Sequence, residues 1–171
     1  MFTLLLSLIA LVAAVQAQVA NITVADTDPS IVYAGNGTGP AAVCQFNAGT
    51  LSGPPGCYFF PTNCTSSAAI SQNLDHKATA TFKFNGSAIY INSALTDVSP
   101  VYTVTLDGQS TDVDGVRPSV SFTCASLFSQ TGLSTTNEHT VTLSVKGPSP
   151  NRNMTEDPAG VLEVFSLIDF M

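Results

Sequence analysis

The chain has 171 residues, with five basic against twelve acidic side chains, two histidines, four cysteines and no tryptophan. The net charge of −7, with Lys77, Lys83, Lys146, Arg117 and Arg152 scattered along the chain, excludes the basic clusters that nucleic acid and anionic membrane surfaces require. Charged residues make up only 10% of the chain, and Ser, Thr, Gly and Asn are common, a composition typical of extracellular β proteins.

Residues 1–17 (MFTLLLSLIALVAAVQA) form an apolar run ending in small residues, and Val15 and Ala17 fit the −3 and −1 positions of a signal-peptidase site. The apolar core is shorter than the ~20 residues of a membrane span. The expectation is a cleaved signal peptide over 1–17, a mature chain starting at Gln18, and one secreted domain over 18–171. A 154-residue chain can bury roughly 70% of its unfolded surface, enough for a real core. No later apolar run is long enough to span a bilayer, so no transmembrane helix is expected in the mature chain.

In chain order, residues 22–24 and 31–33 are short strand candidates around the Asp28-Pro29 turn. Residues 43–77 form a long irregular segment with Gly53-Pro54-Pro55-Gly56 and three of the four cysteines. Segments of this kind are functional or tied down covalently. Residues 78–84 (ATATFKF) alternate Ala80, Phe82 and Phe84 with Thr79, Thr81 and Lys83, which predicts a strand with one wet face. Asn85-Gly86 follows, a two-residue hairpin signal, and Ile89 and Ile91 resume the alternation, so residues 78–84 and 87–91 are expected to pair. Residues 101–106 (VYTVTL) repeat the pattern and turn back at Asp107-Gly108. Residues 119–122 are a further strand candidate, and residues 127–133 a short helical turn ended by Gly132. Residues 140–146 put Val141, Leu143 and Val145 inward. Residues 161–170 are nearly continuous in apolar residues, as in a central strand covered on both faces. About eight strands with turns between them predict an all-β fold, an antiparallel β-sandwich or jelly roll.

Four cysteines, Cys44, Cys57, Cys64 and Cys124, behind a secretion signal predict two disulfides, with three possible connectivities. Five Asn-x-Ser/Thr sites, at Asn21, Asn36, Asn63, Asn85 and Asn153, predict N-glycans on surface turns. No G-x-S-x-G elbow or metal-ligand spacing is present. His139, before a strand, is expected to bond backbone, and His76 to be solvated in a polar turn. No cofactor and no catalytic residue is expected; a carboxylate pair of the glycosidase type is a reading that spacing along a chain does not test.

The acidic segment LDGQSTDVDG contains Asp107, Asp112 and Asp114. Alternate carboxylates before a glycine suit a hard cation, so Asp112 and Asp114 are a calcium candidate beside the plainer reading of a solvated turn. Tyr58, Phe59 and Phe60 in the long segment suit either a lid over the core or stacking on a sugar ring. The candidate ligand edge is therefore Tyr58–Phe60 together with Asp107, Asp112, Asp114 and Arg117.

The ordered set IxxxDTDPSIVYAG, KATATFKFNGSAIYINS, VYTVTLDGQSTDVDG, LFSQTGLSTTNEHTVTLSVKGPSPNR and VFSLIDF resembles a large group of secreted or membrane-anchored fungal proteins with a galactose-binding-like jelly roll. The resemblance spans nearly the whole mature chain. It implies that fold and a sugar ligand, and it carries no ligand residue over. Three functional readings follow from these observations. The first is a secreted, non-catalytic module of the cell surface or wall with cell-wall or surface glycans as partners. The second is a structural, glycosylated wall or matrix protein, and the third an extracellular glycoside hydrolase.

Overall fold

The computed structural model describes residues 20–26, 28–35, 45–47, 50–52, 69–72, 78–160 and 164–171. Among these the chain is all-β. The strands are β1 (Val24–Ala25), β2 (Val32–Ala34), β3 (Gln45–Asn47), β4 (Thr50–Ser52), β5 (Ala69–Gln72), β6 (Thr79–Phe84) and β7 (Ala88–Leu95), followed by β8 (Val101–Leu106), β9 (Gln109–Asp114), β10 (Thr123–Thr131), β11 (His139–Gly147), β12 (Val164–Leu167) and β13 (Asp169–Phe170). Two antiparallel sheets dominate. One has four strands in the order β1-β13-β7-β10 and the other five in the order β2-β6-β11-β8-β9; β12-β5 and β3-β4 form two small pairs. No helix among the described residues is long and apolar enough to cross a membrane.

The alternation explains the layers. From the five-stranded sheet, Ala80, Phe82, Tyr102, Val104, Val141, Leu143 and Val145 point into a core shared with Ile89, Ile91, Leu95, Leu127 and Phe170 of the four-stranded one. The Phe82 and Phe170 rings stack across the layers at 5.2 Å, a geometry that adds to the area they bury. Two facing antiparallel sheets around one core are the arrangement of a β-sandwich.

The predicted hairpin at Asp107-Gly108 forms, with Leu106 opposite Gln109. Both turn residues have positive φ, 50° and 82°, which Asp tolerates and Gly favours.

The other predicted hairpin does not form. β6 pairs with β2 and β11, whereas β7 pairs with β10 and β13. Asn85-Gly86 turns a corner from one sheet to the other, because Phe82 and Ile91 reach the same core only from opposite layers.

The short helical turn expected over residues 127–133 is also overturned. Residues 127–131 belong to β10, which starts at Thr123, just beyond the strand candidate at 119–122. As an outer strand of its sheet, β10 buries only Leu127, and a register shift between Ser126 and Phe128 breaks its alternation. Gly132, at φ 76°, ends it. The apolar run at 161–170 is divided: β13 lies centrally between β1 and β7, while β12 pairs with β5. Phe165, Ser166, Leu167 and Ile168 are all buried, in accord with cover on both faces.

Candidate functional site

The three aspartates of the predicted ligand edge are spread along one hairpin instead of being gathered. Asp107 lies in the β8–β9 turn, Asp112 in mid-strand and Asp114 at the far end of β9.

Each carboxylate is already engaged. Asp107 accepts the Thr140 amide at 2.9 Å and meets His139 Nδ1 at 2.6 Å. Asp112 accepts the Thr103 hydroxyl at 2.8 Å and pairs with Lys146. Asp114 accepts the Val116 amide at 3.0 Å, the Ser149 hydroxyl at 2.9 Å and the Asn151 amide at 2.7 Å. Donated hydrogen bonds from Thr140 and His139, and from Lys146 and Thr103, hold Asp107 and Asp112 below the usual carboxylate range. At Asp114 partial burial pushes the other way, and the three donated bonds outweigh it.

Among the described residues no cluster of three His, Cys, Asp or Glu side chains stands in position to hold a metal ion. Arg117 spans the layers: its guanidinium donates to the carbonyls of Asp114, Val116 and Ser126. Those bonds brace the exit of β9 against β10.

His139 is buried, as a ring that bonds backbone should be, with Nε2 2.8 Å from the Ser134 carbonyl. Asn21 and Asn85 are exposed. The Asn153 amide donates to Asp97 at 2.8 Å and its carbonyl accepts the Thr155 amide at 3.0 Å, so this side chain ties the loop after β11 to the β7–β8 connection. Tyr58, Phe59, Phe60, Cys44, Cys57, Cys64, Asn36, Asn63, His76 and residues 1–17 lie outside the described residues. Cys124 is on β10, and no free cysteine is among the described residues.

What the residue-by-residue reading did not single out is the outer face of the five-stranded sheet. Inward apolar residues alternate with Thr and Ser on β6, β11 and β8, and register aligns those hydroxyls across strands. One row runs Thr81, Thr142, Thr105, Ser110; the next runs Thr79, Ser144, Thr103, Asp112. Neighbouring strands stand about 4.8 Å apart and residues two along about 6.7 Å apart, so the rows make a regular grid on a gently twisted face.

Thr81 and Thr142 share a hydroxyl bond of 3.0 Å, and Thr105 and Ser110 one of 2.9 Å. The charges at the rim neutralise each other, Lys83 with Glu138 at 3.0 Å and Lys146 with Asp112. The middle of the grid therefore offers donors and acceptors without net charge, the chemistry of a surface that meets polyols. The signal was present in the sequence as the three Thr-x-Thr repeats at 79–81, 103–105 and 140–142; their alignment depends on which strands pair. No protein-family model matches the chain. A search of curated proteins found no match either.

Proposed function

We propose that the chain is a secreted, non-catalytic module of the cell surface or wall that recognises neutral glycans through the hydroxyl grid of its five-stranded sheet. The two facing antiparallel sheets support the finer assignment to a galactose-binding-like jelly roll, and the signal-type segment at 1–17 supports export. In that compartment Cys44, Cys57, Cys64 and Cys124 pair as two disulfides and the exposed sequons at Asn21 and Asn85 carry glycans. The observation that carries the reading is the pair of cross-strand hydroxyl rows with a charge-neutralised rim. Thr and Ser hydroxyls both donate and accept, as sugar hydroxyls do, and an uncharged face has little selectivity for ionic ligands.

The test is a glycan array together with sedimentation on insoluble neutral polysaccharide, using disulfide-intact protein. Replacing Thr81 and Thr142 by Val keeps shape and β-propensity while removing both hydroxyls. Binding is expected to weaken about tenfold or more, equivalent to about 1.4 kcal/mol, with little change in melting temperature. No saturable binding, or unchanged affinity in the double variant, refutes the role of the grid. A Tyr58→Ala variant in the same assay tests whether the aromatic segment at 58–60 contributes stacking.

A further inference from the structure

The end of the sandwich at the Asp107-Gly108 turn holds a buried histidine with an unusual pair of partners. The His139 side chain is 6% exposed. Its Nδ1 lies 2.6 Å from Asp107 Oδ2 and its Nε2 lies 2.8 Å from the Ser134 carbonyl oxygen. Both partners are acceptors. A neutral imidazole has one N–H, so only the doubly protonated ring satisfies both contacts.

The ring also packs against Phe84 of β6, with centroids 5.3 Å apart. The charged groups around it come from three elements. Asp107 belongs to the β8–β9 turn. Glu138, beside it in the chain, is taken up by Lys83 of β6. Glu138 is the charged group of the β10–β11 loop, residues 132–138, which also supplies the uncharged Ser134 carbonyl.

We propose that His139 is a proton-operated latch, pinning the β10–β11 loop to the β8–β9 turn while the ring is cationic and releasing the loop when the ring loses one proton. The proton lost is the one on Nε2. Asp107 is the stronger acceptor and is itself fixed by the Thr140 amide, so the Nδ1–H bond persists. The bare Nε2 then faces the Ser134 carbonyl, acceptor against acceptor, and the loop must move. One residue earlier that loop is anchored by the Leu133 amide, which donates to the Ser87 carbonyl at 2.9 Å beside the β6–β7 corner. Loosening Ser134 therefore reaches three connections at one end of the fold.

The hydrogen bond to Asp107, and after it the one to Ser134, holds the ring above its ordinary 6.5, against the opposing effect of burial. The stabilisation is full below 6.5 and is lost as pH rises through the elevated folded value. At the acid end it is lost as pH falls through the depressed value of Asp107, below 3.8.

The experiment is an NMR titration of imidazole nitrogen shifts in disulfide-intact protein carrying His76→Gln, which leaves one histidine. Amide-exchange protection of Leu133 and Thr140 is followed in the same samples. The expected result is a single midpoint above 6.5, with Leu133 protection falling about tenfold or more through that midpoint while Thr140 stays protected. Asp107→Asn is expected to shift the midpoint downward and to move the Leu133 step with it. A midpoint at or below 6.5, ring titration without a change at Leu133, or the same Leu133 step in a His139→Gln protein overturns the proposal. If His139→Gln does not fold, the displacement of the step in Asp107→Asn decides alone.

Discussion

Gly115 offers a sharp test of how this fold closes at the end of β9. Its amide donates to the Pro100 carbonyl at 2.9 Å as the chain leaves the sheet. A methyl group added there meets that same carbonyl oxygen at 2.6 Å, the Tyr102 ring at 2.7 Å and the Ser99 Cβ at 3.1 Å. None of these can swing away: one is backbone, and Tyr102 is fully buried in the core. Carbon contacts are normally about 3.5–4.0 Å, so the ring and the carbonyl must each retreat by most of an ångström into packed surroundings. Overpacking of this kind costs about 1–3 kcal/mol. With three atoms obstructed at once, Gly115→Ala is expected at the upper end, about 2–3 kcal/mol, which lowers the melting temperature by roughly 4–12 °C for a domain of this size.

Gly108 is the control. It has positive φ, 82°, and nothing within 4 Å of an added Cβ, so Gly108→Ala carries only the left-handed backbone penalty of about 1–2 kcal/mol. Urea unfolding followed by circular dichroism measures both. A Gly115→Ala stability within about 0.5 kcal/mol of the parent, or a larger loss at Gly108 than at Gly115, refutes the packing described for the β9 exit.

Other outcomes follow from the same contacts. Leu143 is fully buried at the centre of the five-stranded sheet, and Leu143→Ala is expected to destabilise by about 2–5 kcal/mol in urea unfolding. The Arg152 guanidinium donates to the carbonyls of Asp157, Ser149 and Pro158. Lys lacks the planar fork, so Arg152→Lys is expected to cost about 1–3 kcal/mol and to raise proteolytic cleavage within residues 148–160. Asp114 sits below its ordinary 3.8 in the folded state, so its stabilisation is present above that value and lost as pH falls through the depressed one. Asp114→Asn removes that acid-side loss and is expected to cost about 1 kcal/mol at neutral pH, discounted for partial exposure. Urea midpoints of parent and variant that differ equally at pH 2 and pH 7 refute this assignment.

Local rules carried much of the fold. The alternation at residues 79–84, 101–106 and 140–146 specifies strands with one apolar face, since period two has no other way to bury Phe82, Val104 or Leu143. Asp107-Gly108 specifies a tight hairpin because its two residues accept positive φ. Asn85-Gly86 has the same local chemistry and a different outcome. Whether two strands pair or face each other depends on where their apolar faces find cover, and Ile89 and Ile91 find it in the opposite layer. β10 escaped a pattern reading because an outer strand with a bulge needs only Leu127 in the core.

The composition and periodicity of this chain by themselves determined an acidic, all-strand protein with a Thr- and Ser-rich outer surface. The tertiary structure alone decided which polar groups meet. His139 and Asp107 are 32 residues apart in the chain, Asp114 and Ser149 35, and Asn153 and Asp97 56. Hydrogen bonds reach about 3 Å, and separations of that length along the chain are closed only when strands from distant segments pair.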